Sequence, residues 1–484
     1  MQDPLETLDN VSSDERSAMK DPREILDKAP MSLLQMIVVV ITSVLNGLDG
    51  FDVLSISFAS NGIAAEWGID RATLGIVLSM ELIGMAIGSI VIGGIADRIG
   101  RRRTSLGCMA VMACGMFTTP FVGDIVQLSV CRVITGLGLG GLLAAINALA
   151  AEFSNRKRRH LSVSIMSIGY PLGGVIGGLI AAQLLASYSW RSVFFFGAGV
   201  TAFFIPVVFF LVPESVHWLT RKQPQGALEK VNAAMRRMGH AAIDELPEVA
   251  PETRKKSMKD IFSPGLAGIT VIVTAAYFLH ITTYYFILKW VPRVAVEHLG
   301  FTAPSAANLL TFANIGGAIG GTIFGFLTLR FDPKKLTVVV IALGALFIAL
   351  FGSVPAFVEE HGIAAPGLFT SLFYNDAATV PGGGPSAAIA FYMSLIAFLC
   401  GITGNTAIVG LFALFAHAFP THVRASGTGF SVGIGRGGAI LSPIIVGYLF
   451  QWGFSLQAVT ALISIGGFIG AAVLLFLKLR DDEK

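Results

Sequence analysis

Five ionisable residues lie in stretches where a lipid-facing chain has little reason to keep charge: Asp49, Asp52, Glu81, Arg132 and Arg436. A charge at the centre of a membrane helix costs about 2.5 to 3.5 kcal/mol on insertion scales, so each needs a compensating role. Asp49 and Asp52 are three residues apart and project from one helix face. Two crowded carboxylates in a low dielectric can pick up and release a proton, which suits proton coupling or gating. The alternative is a capped helix break beside Gly47 and Gly50, with both acids facing outside water. Arg436, flanked by Gly433, Gly435, Gly437 and Gly438, can grip a carboxylate with two parallel hydrogen bonds. Otherwise it makes a structural ion pair. Arg132 could meet a bound solute, but an ion pair with Asp49, Asp52 or Glu81 is the favoured reading. Glu81 is either that partner or a second protonation site. Tyr277, His280 and Tyr284 share a face at helical spacing and could stack on an aromatic ring, and His280 could titrate. Equally, these rings could be packing plus an outer aromatic belt, with Lys289 snorkelling to the surface. Phe51, Tyr170 and Asn314 are further pocket candidates, followed by Tyr392 and Asn405.

These residues need elements to hold them, and composition says which. The 484 residues are 54% hydrophobic and only 13% charged, with mean hydropathy +0.72. A soluble domain has about 45 to 50% apolar and 25% charged residues, so this is a membrane protein. A net charge of +3 is too small for a nucleic-acid binder. Cys108, Cys114, Cys131 and Cys400 show no CxxC or His-paired spacing, so neither a disulfide framework nor a metal site is expected. Twelve apolar segments recur near the ~20 residues that a helix needs to cross a bilayer. Their approximate limits are 32–58, 72–95, 104–122, 125–150, 161–186, 191–212, 264–288, 303–328, 336–357, 386–416, 425–449 and 455–477. They are too long and too evenly apolar for barrel strands. With the amino terminus inside, loops on that side collect 28 of the 34 Lys and Arg residues, which places both termini in the cytoplasm.

The stretch from Gly88 to Arg103 returns 232 residues later from Gly320 to Lys335, each closing the second span of a set of six. The expected organisation is a tail over 1–30, a six-helix bundle over 31–212, a charged cytoplasmic loop over 213–263, a second bundle over 264–478 and a tail over 479–484. Two such halves around a midplane site are the architecture of a secondary transporter. Gly93-x-x-x-Asp97-Arg98-x-Gly100-Arg101-Arg102-Arg103 resembles the loop signature of the major facilitator superfamily. Arg132 with Gly136-x-Gly138-x-Gly140-Gly141 resembles its fourth-helix motif, the glycine run from Gly169 to Gly178 its fifth-helix motif, and Pro213-Glu214-Ser215 a common end of its helix six. Within that superfamily, Asp49-Gly50-Phe51-Asp52 and Gly433-x-Gly435-Arg436-x-Gly438 resemble the aromatic acid:proton symporters. The resemblance implies an all-α integral membrane fold of twelve helices in two pseudo-symmetric halves, and transport of a monocyclic aromatic carboxylate. It also implies a charge network of Asp97 and Arg98, to which Arg101, Glu152 and Arg159 can be added. The second-half counterpart, with Arg330 and Asp332, departs from the pattern because Leu329 replaces the acid.

No GxxxxGK[ST] phosphate loop is present, so an ion gradient is left as the energy source. The membrane potential opposes entry of a bare anion by about 2.3 kcal/mol per 100 mV, and one accompanying proton cancels that penalty. The expected partners are therefore an aromatic acid anion, protons and lipid, for a monomer without cofactor in the inner or plasma membrane. No nucleophile–base constellation points to an enzyme. A sugar or polyol symporter and an exporter of amphiphilic compounds are the alternatives within the fold. The Gly- and Pro-rich outside loop 358–385 is either a lid at the mouth or a tolerated insertion.

Overall fold

The computed structural model describes residues 21–248, 258–328, 330–366, 386–420 and 423–477. Residues 1–20 of the first tail, Leu329, most of the 358–385 loop and the tail 479–484 lie outside them. Every regular element described is helical. Among the described residues, twelve helices are long and apolar enough to cross a membrane. Spans one to six are Leu33–Trp67, Arg71–Ile99, Arg101–Thr118, Ile125–Glu152, Arg159–Ser187 and Arg191–Leu211. Spans seven to twelve are Ala267–Leu299, Ala303–Leu327, Pro333–Phe351, Ala387–Ala418, Arg424–Gln451 and Leu456–Leu475.

Spans one and seven are much longer than their apolar windows, at 35 and 33 residues. Each begins or ends on a recognisable signal. Ser32 and Gln35 form a reciprocal capping box at the start of span one. Spans one and seven stop at Gly68 and Gly300, both in left-handed backbone with φ of 60° and 69°, where a side chain would be strained. Asp70 and Thr302 then cap spans two and eight through their side chains. Both pairs keep the 232-residue offset of the sequence repeat.

The packing repeats as well. Span two packs on four, one on five, three on six and three on four, and the same pairs recur as eight on ten, seven on eleven, nine on twelve and nine on ten. The two sets of six meet along two seams, span five against eight and span two against eleven, and span seven also touches span one. The end holding the short helix Pro22–Lys28 and the end of span twelve is called here the termini side, and the opposite end the far side. At the far side the seam is tight: a Cβ on Gly75 would strike the Pro443 carbonyl, and Gly447 lies against the backbone of Arg71 and Ala72. Toward the termini side, Gly94 of span two and Gly429 and Gly433 of span eleven have nothing within 4 Å of a Cβ position. The halves therefore close at the far side and part toward the termini.

Candidate functional site

Between the halves, the polar residues of the spans gather into one cluster. Asp49 and Asp52 are each 1% exposed, which removes the alternative of carboxylates facing outside water. All four of their oxygens lack a hydrogen-bond partner. Asp49 lies within electrostatic reach of Arg436 and Glu81, and Asp52 within reach of Glu81, Arg132 and Asp49 itself. Burying a carboxylate without hydrogen bonds is costly, so such groups mark a place built to bind or exchange something.

Arg132 and Glu81 are fully buried and form an ion pair at 3.5 Å. Arg132 Nη2 also donates to Thr119 at 2.8 Å and Thr135 at 3.2 Å, and the guanidinium stacks 4.8 Å from the centre of the Phe194 ring. Of the two readings of Arg132, its surroundings match the ion pair, with Glu81 as the partner. Lys289 departs from expectation. Instead of snorkelling to a surface it is fully buried, donates to the Val53 carbonyl and lies 4.0 Å from Glu81. The reason is that span seven runs on to Leu299, placing Lys289 ten residues inside the helix. Three acids and three bases thus lie within electrostatic reach of one another between the halves.

Arg436 is partly exposed, and its Nη1 donates to the Met85 carbonyl at 3.0 Å. Among the described residues it makes no ion pair, so its other donors have no carboxylate within 4.0 Å. Gly435 beside it is required by the Tyr277 ring, against which a Cβ would collide. Tyr170 and Tyr285 are partly exposed near the same acids, and Tyr285 is within electrostatic reach of Arg436, Asp49 and Glu81.

The aromatic face singled out in span seven points elsewhere. His280 hydrogen-bonds the Gly404 carbonyl at 3.0 Å and stacks at 6.0 Å on Tyr284, whose ring fills the space at Gly404. Tyr277 packs on Phe412 and Phe415. All three are 6% exposed or less and pack between spans seven, ten and eleven. Phe51 packs edge-on to Phe196 at 5.5 Å, and Asn314, 3% exposed, lies at the five–eight seam opposite Gly174. Tyr392 is partly exposed, and Asn405 donates to the Gly317 carbonyl at 2.7 Å. Sequence reasoning missed Tyr285 and Lys289. The signal for Tyr285 was its position next to Tyr284, which turns it about 100° round the helix from the chosen face.

On the termini side, Arg101 binds Asp97 at 2.8 Å and Glu152 at 3.2 Å. Arg221 adds a contact to Asp97 at 3.2 Å. Glu214 Oε1 accepts from the backbone N–H groups of Arg101 and Arg102, capping span three. Arg159 pairs instead with Asp27 of the short helix Pro22–Lys28 at 2.5 Å. Arg98 is exposed and, among the described residues, forms no ion pair. In the second half Arg330 is exposed and likewise unpaired among described residues, while Asp332 caps span nine through Lys335 N. Among the described residues the network therefore ties the first bundle to the tail helix and the central loop, and none of these pairs reaches the second bundle. No group of three or more metal-ligating side chains occurs among the described residues.

At the far side Arg71 binds Glu297 and the Phe450 carbonyl, and Asn61 donates to the Pro292 carbonyl at 3.0 Å. Together with Lys289 to Val53, Ser79 to Ile440 and Arg436 to Met85, these hydrogen bonds cross between the halves, all at midplane or beyond.

Twelve spans in two repeated sets around a buried charge cluster define a multi-pass membrane transporter. The Major Facilitator Superfamily model matches residues 39–393, and the chain belongs to that family. It is similar to a gallate transporter of Pseudomonas putida, 27% identical over 94% of each chain. It is also similar to a 4-hydroxybenzoate transporter of Acinetobacter baylyi, 27% identical over 96% of this chain and 95% of that one. Among solved structures, the inward-open form of the xylose transporter of E. coli matches with a TM-score of 0.65 at 16% identity, over 93% of this chain and 98% of that chain, a likeness of fold. The protein is a transporter rather than an enzyme.

Proposed function

We propose that the protein imports a small aromatic carboxylate together with protons by alternating access. The observation that carries this reading is the pairing of two buried, hydrogen-bond-free carboxylates, Asp49 and Asp52, with a partly exposed Arg436 that has no carboxylate partner. Arg436 would take the carboxylate, Tyr285 and Tyr170 would flank the ring, and Asp49 would carry a proton. The aromatic acids named for the similar transporters support the substrate class. Buried carboxylates that change partner between two openings are how a proton gradient does work on a solute.

The clustering of Lys and Arg supports both termini in the cytoplasm and residence in the inner or plasma membrane. In that orientation the open side faces the cytoplasm. The reading also takes a monomer as the transporting unit, with six-helix bundles over 31–212 and 264–478 joined by the cytoplasmic loop 213–263. The test is counterflow in vesicles with labelled gallate, 4-hydroxybenzoate and glucose, with and without an imposed pH step. Uptake of an aromatic acid that rises with an outside-acid step is expected. Acid uptake indifferent to the step removes proton coupling, and glucose uptake alone removes the substrate class.

A further inference from the structure

Glu81 stands between two cations that belong to different halves. Arg132 of span four approaches its Oε1 at 3.5 Å, and Lys289 of span seven approaches its Oε2 at 4.0 Å. All three side chains are completely enclosed. Glu81 Oε2 receives no hydrogen bond, so Lys289 acts on it through charge alone. The ammonium also donates to the Val53 carbonyl of span one. A lysine of the second half is therefore inserted into the first, next to the seam closed by Ser79 and Ile440. An enclosed ammonium is tolerated only opposite an anion, and its attraction to that anion is strong because water is absent.

We propose that Lys289 is the latch by which the second half reads the charge on Glu81. With the carboxylate ionised, the pair holds span seven against spans one and two and keeps the far side shut. A proton on Oε2 forms one O–H bond, cancels the anion and ends the Coulomb attraction, while Lys289 remains an ammonium. The other titratable and charged groups facing this one are Asp49 and Asp52 from span one, Arg132 from span four, Tyr170 from span five and Tyr285 from span seven, with Arg436 of span eleven beyond Asp49. Arg132 stays beside Glu81 in either state, but it lies in the same half and so does not hold the seam. The latch rests on the proton-coupled reading above only for the source of the proton; the closure it describes is a property of the fold.

The test measures far-side separation in the full chain, reconstituted in lipid nanodiscs, with bio-orthogonal spin labels at positions 189 and 360. These positions lie on far-side connections of opposite halves. Pulsed dipolar distances are recorded at about pH 8 and about pH 5.5. The wild type is expected to be short at the higher pH and to gain a longer population on acidification. Glu81→Gln and Lys289→Met should each raise the open-to-closed ratio about tenfold at the higher pH, within the range of ordinary allosteric couplings. The double variant, which removes the pair without stranding either charge, should resemble the single ones rather than their sum. Wild-type distances at the higher pH in both single variants, or strictly additive shifts in the double, overturn the latch. If the distances behave as stated while uptake ignores a pH step, the transport reading falls and the latch stands. Proton-driven uptake with unmoved distances overturns the latch alone.

Discussion

Asp49 and Asp52 differ from Glu81 in having no hydrogen bond on either carboxylate oxygen, and Arg436 differs from Arg132 in forming no ion pair among the described residues. Replacing Arg436 by Lys keeps the charge but loses the planar fork, and a hydrogen bond to a charged group is worth about 1.5 to 3 kcal/mol. Arg436→Lys is therefore expected to weaken aromatic-acid binding about tenfold or more, measured by calorimetry on purified protein; unchanged affinity would take Arg436 out of the site. Asp49→Asn is expected to abolish accumulation against a gradient while leaving exchange of labelled for unlabelled solute, read in the same vesicles. Arg132 is a different case. Arg132→Met leaves Glu81 enclosed with Lys289 as its remaining cation, and breaking a buried pair costs about 3 to 5 kcal/mol, so a lower thermal midpoint is expected. The types of these residues were legible in the sequence, because any charge inside an apolar run stands out. Their partners were not. Helical spacing groups Tyr277, His280 and Tyr284 on one face but does not say whether that face meets a cleft or a neighbouring helix. Here it meets span ten, while Tyr285, about a quarter turn round the helix, lies within electrostatic reach of Arg436.

The helices themselves were readable in number and order, and less so in extent. Apolar windows marked spans one and seven as ending near residues 58 and 288, yet they run to Trp67 and Leu299. The added turns carry Glu66, Arg293 and Glu297, polar residues that a hydropathy window rejects and that ion pairs at the far side accommodate. Lys289 was misplaced for the same reason, since a residue one step past an apolar window looks like a surface anchor. The short helices on the termini side form no apolar run and gave no signal. There, burial holds His217 below its ordinary value of 6.5, with Glu152, Asp27, Arg159 and Arg23 as its charged neighbours. Its Nε2 has no hydrogen-bond partner. A histidine kept neutral in the fold takes up a proton more readily when unfolded, so stability is full above about 6.5 and falls as the pH drops below it. The thermal midpoint of the wild type is thus expected to fall between pH 7.5 and 5.5 by more than that of His217→Gln; equal falls would place the sensitivity elsewhere.

At the scale of the whole molecule, the hydrogen bonds between the halves among the described residues lie midway along the spans or toward the far side, and span eleven opens out at Gly429 and Gly433. A cysteine in place of the enclosed Ser79 should resist a soluble maleimide in this form, whereas one in place of Gly433 should react; comparable rates at both positions would contradict the closure described. The two seams, five against eight and two against eleven, carry a further implication. Moving six spans along the chain turns one seam into the other. Such an arrangement is self-complementary: a half-length polypeptide folded as either set of six could dimerise about a two-fold axis and make the same joint twice. Features of one seam, such as the hydrogen bond from Arg71 to the Phe450 carbonyl, then record how far the two halves have diverged from exact two-fold equivalence.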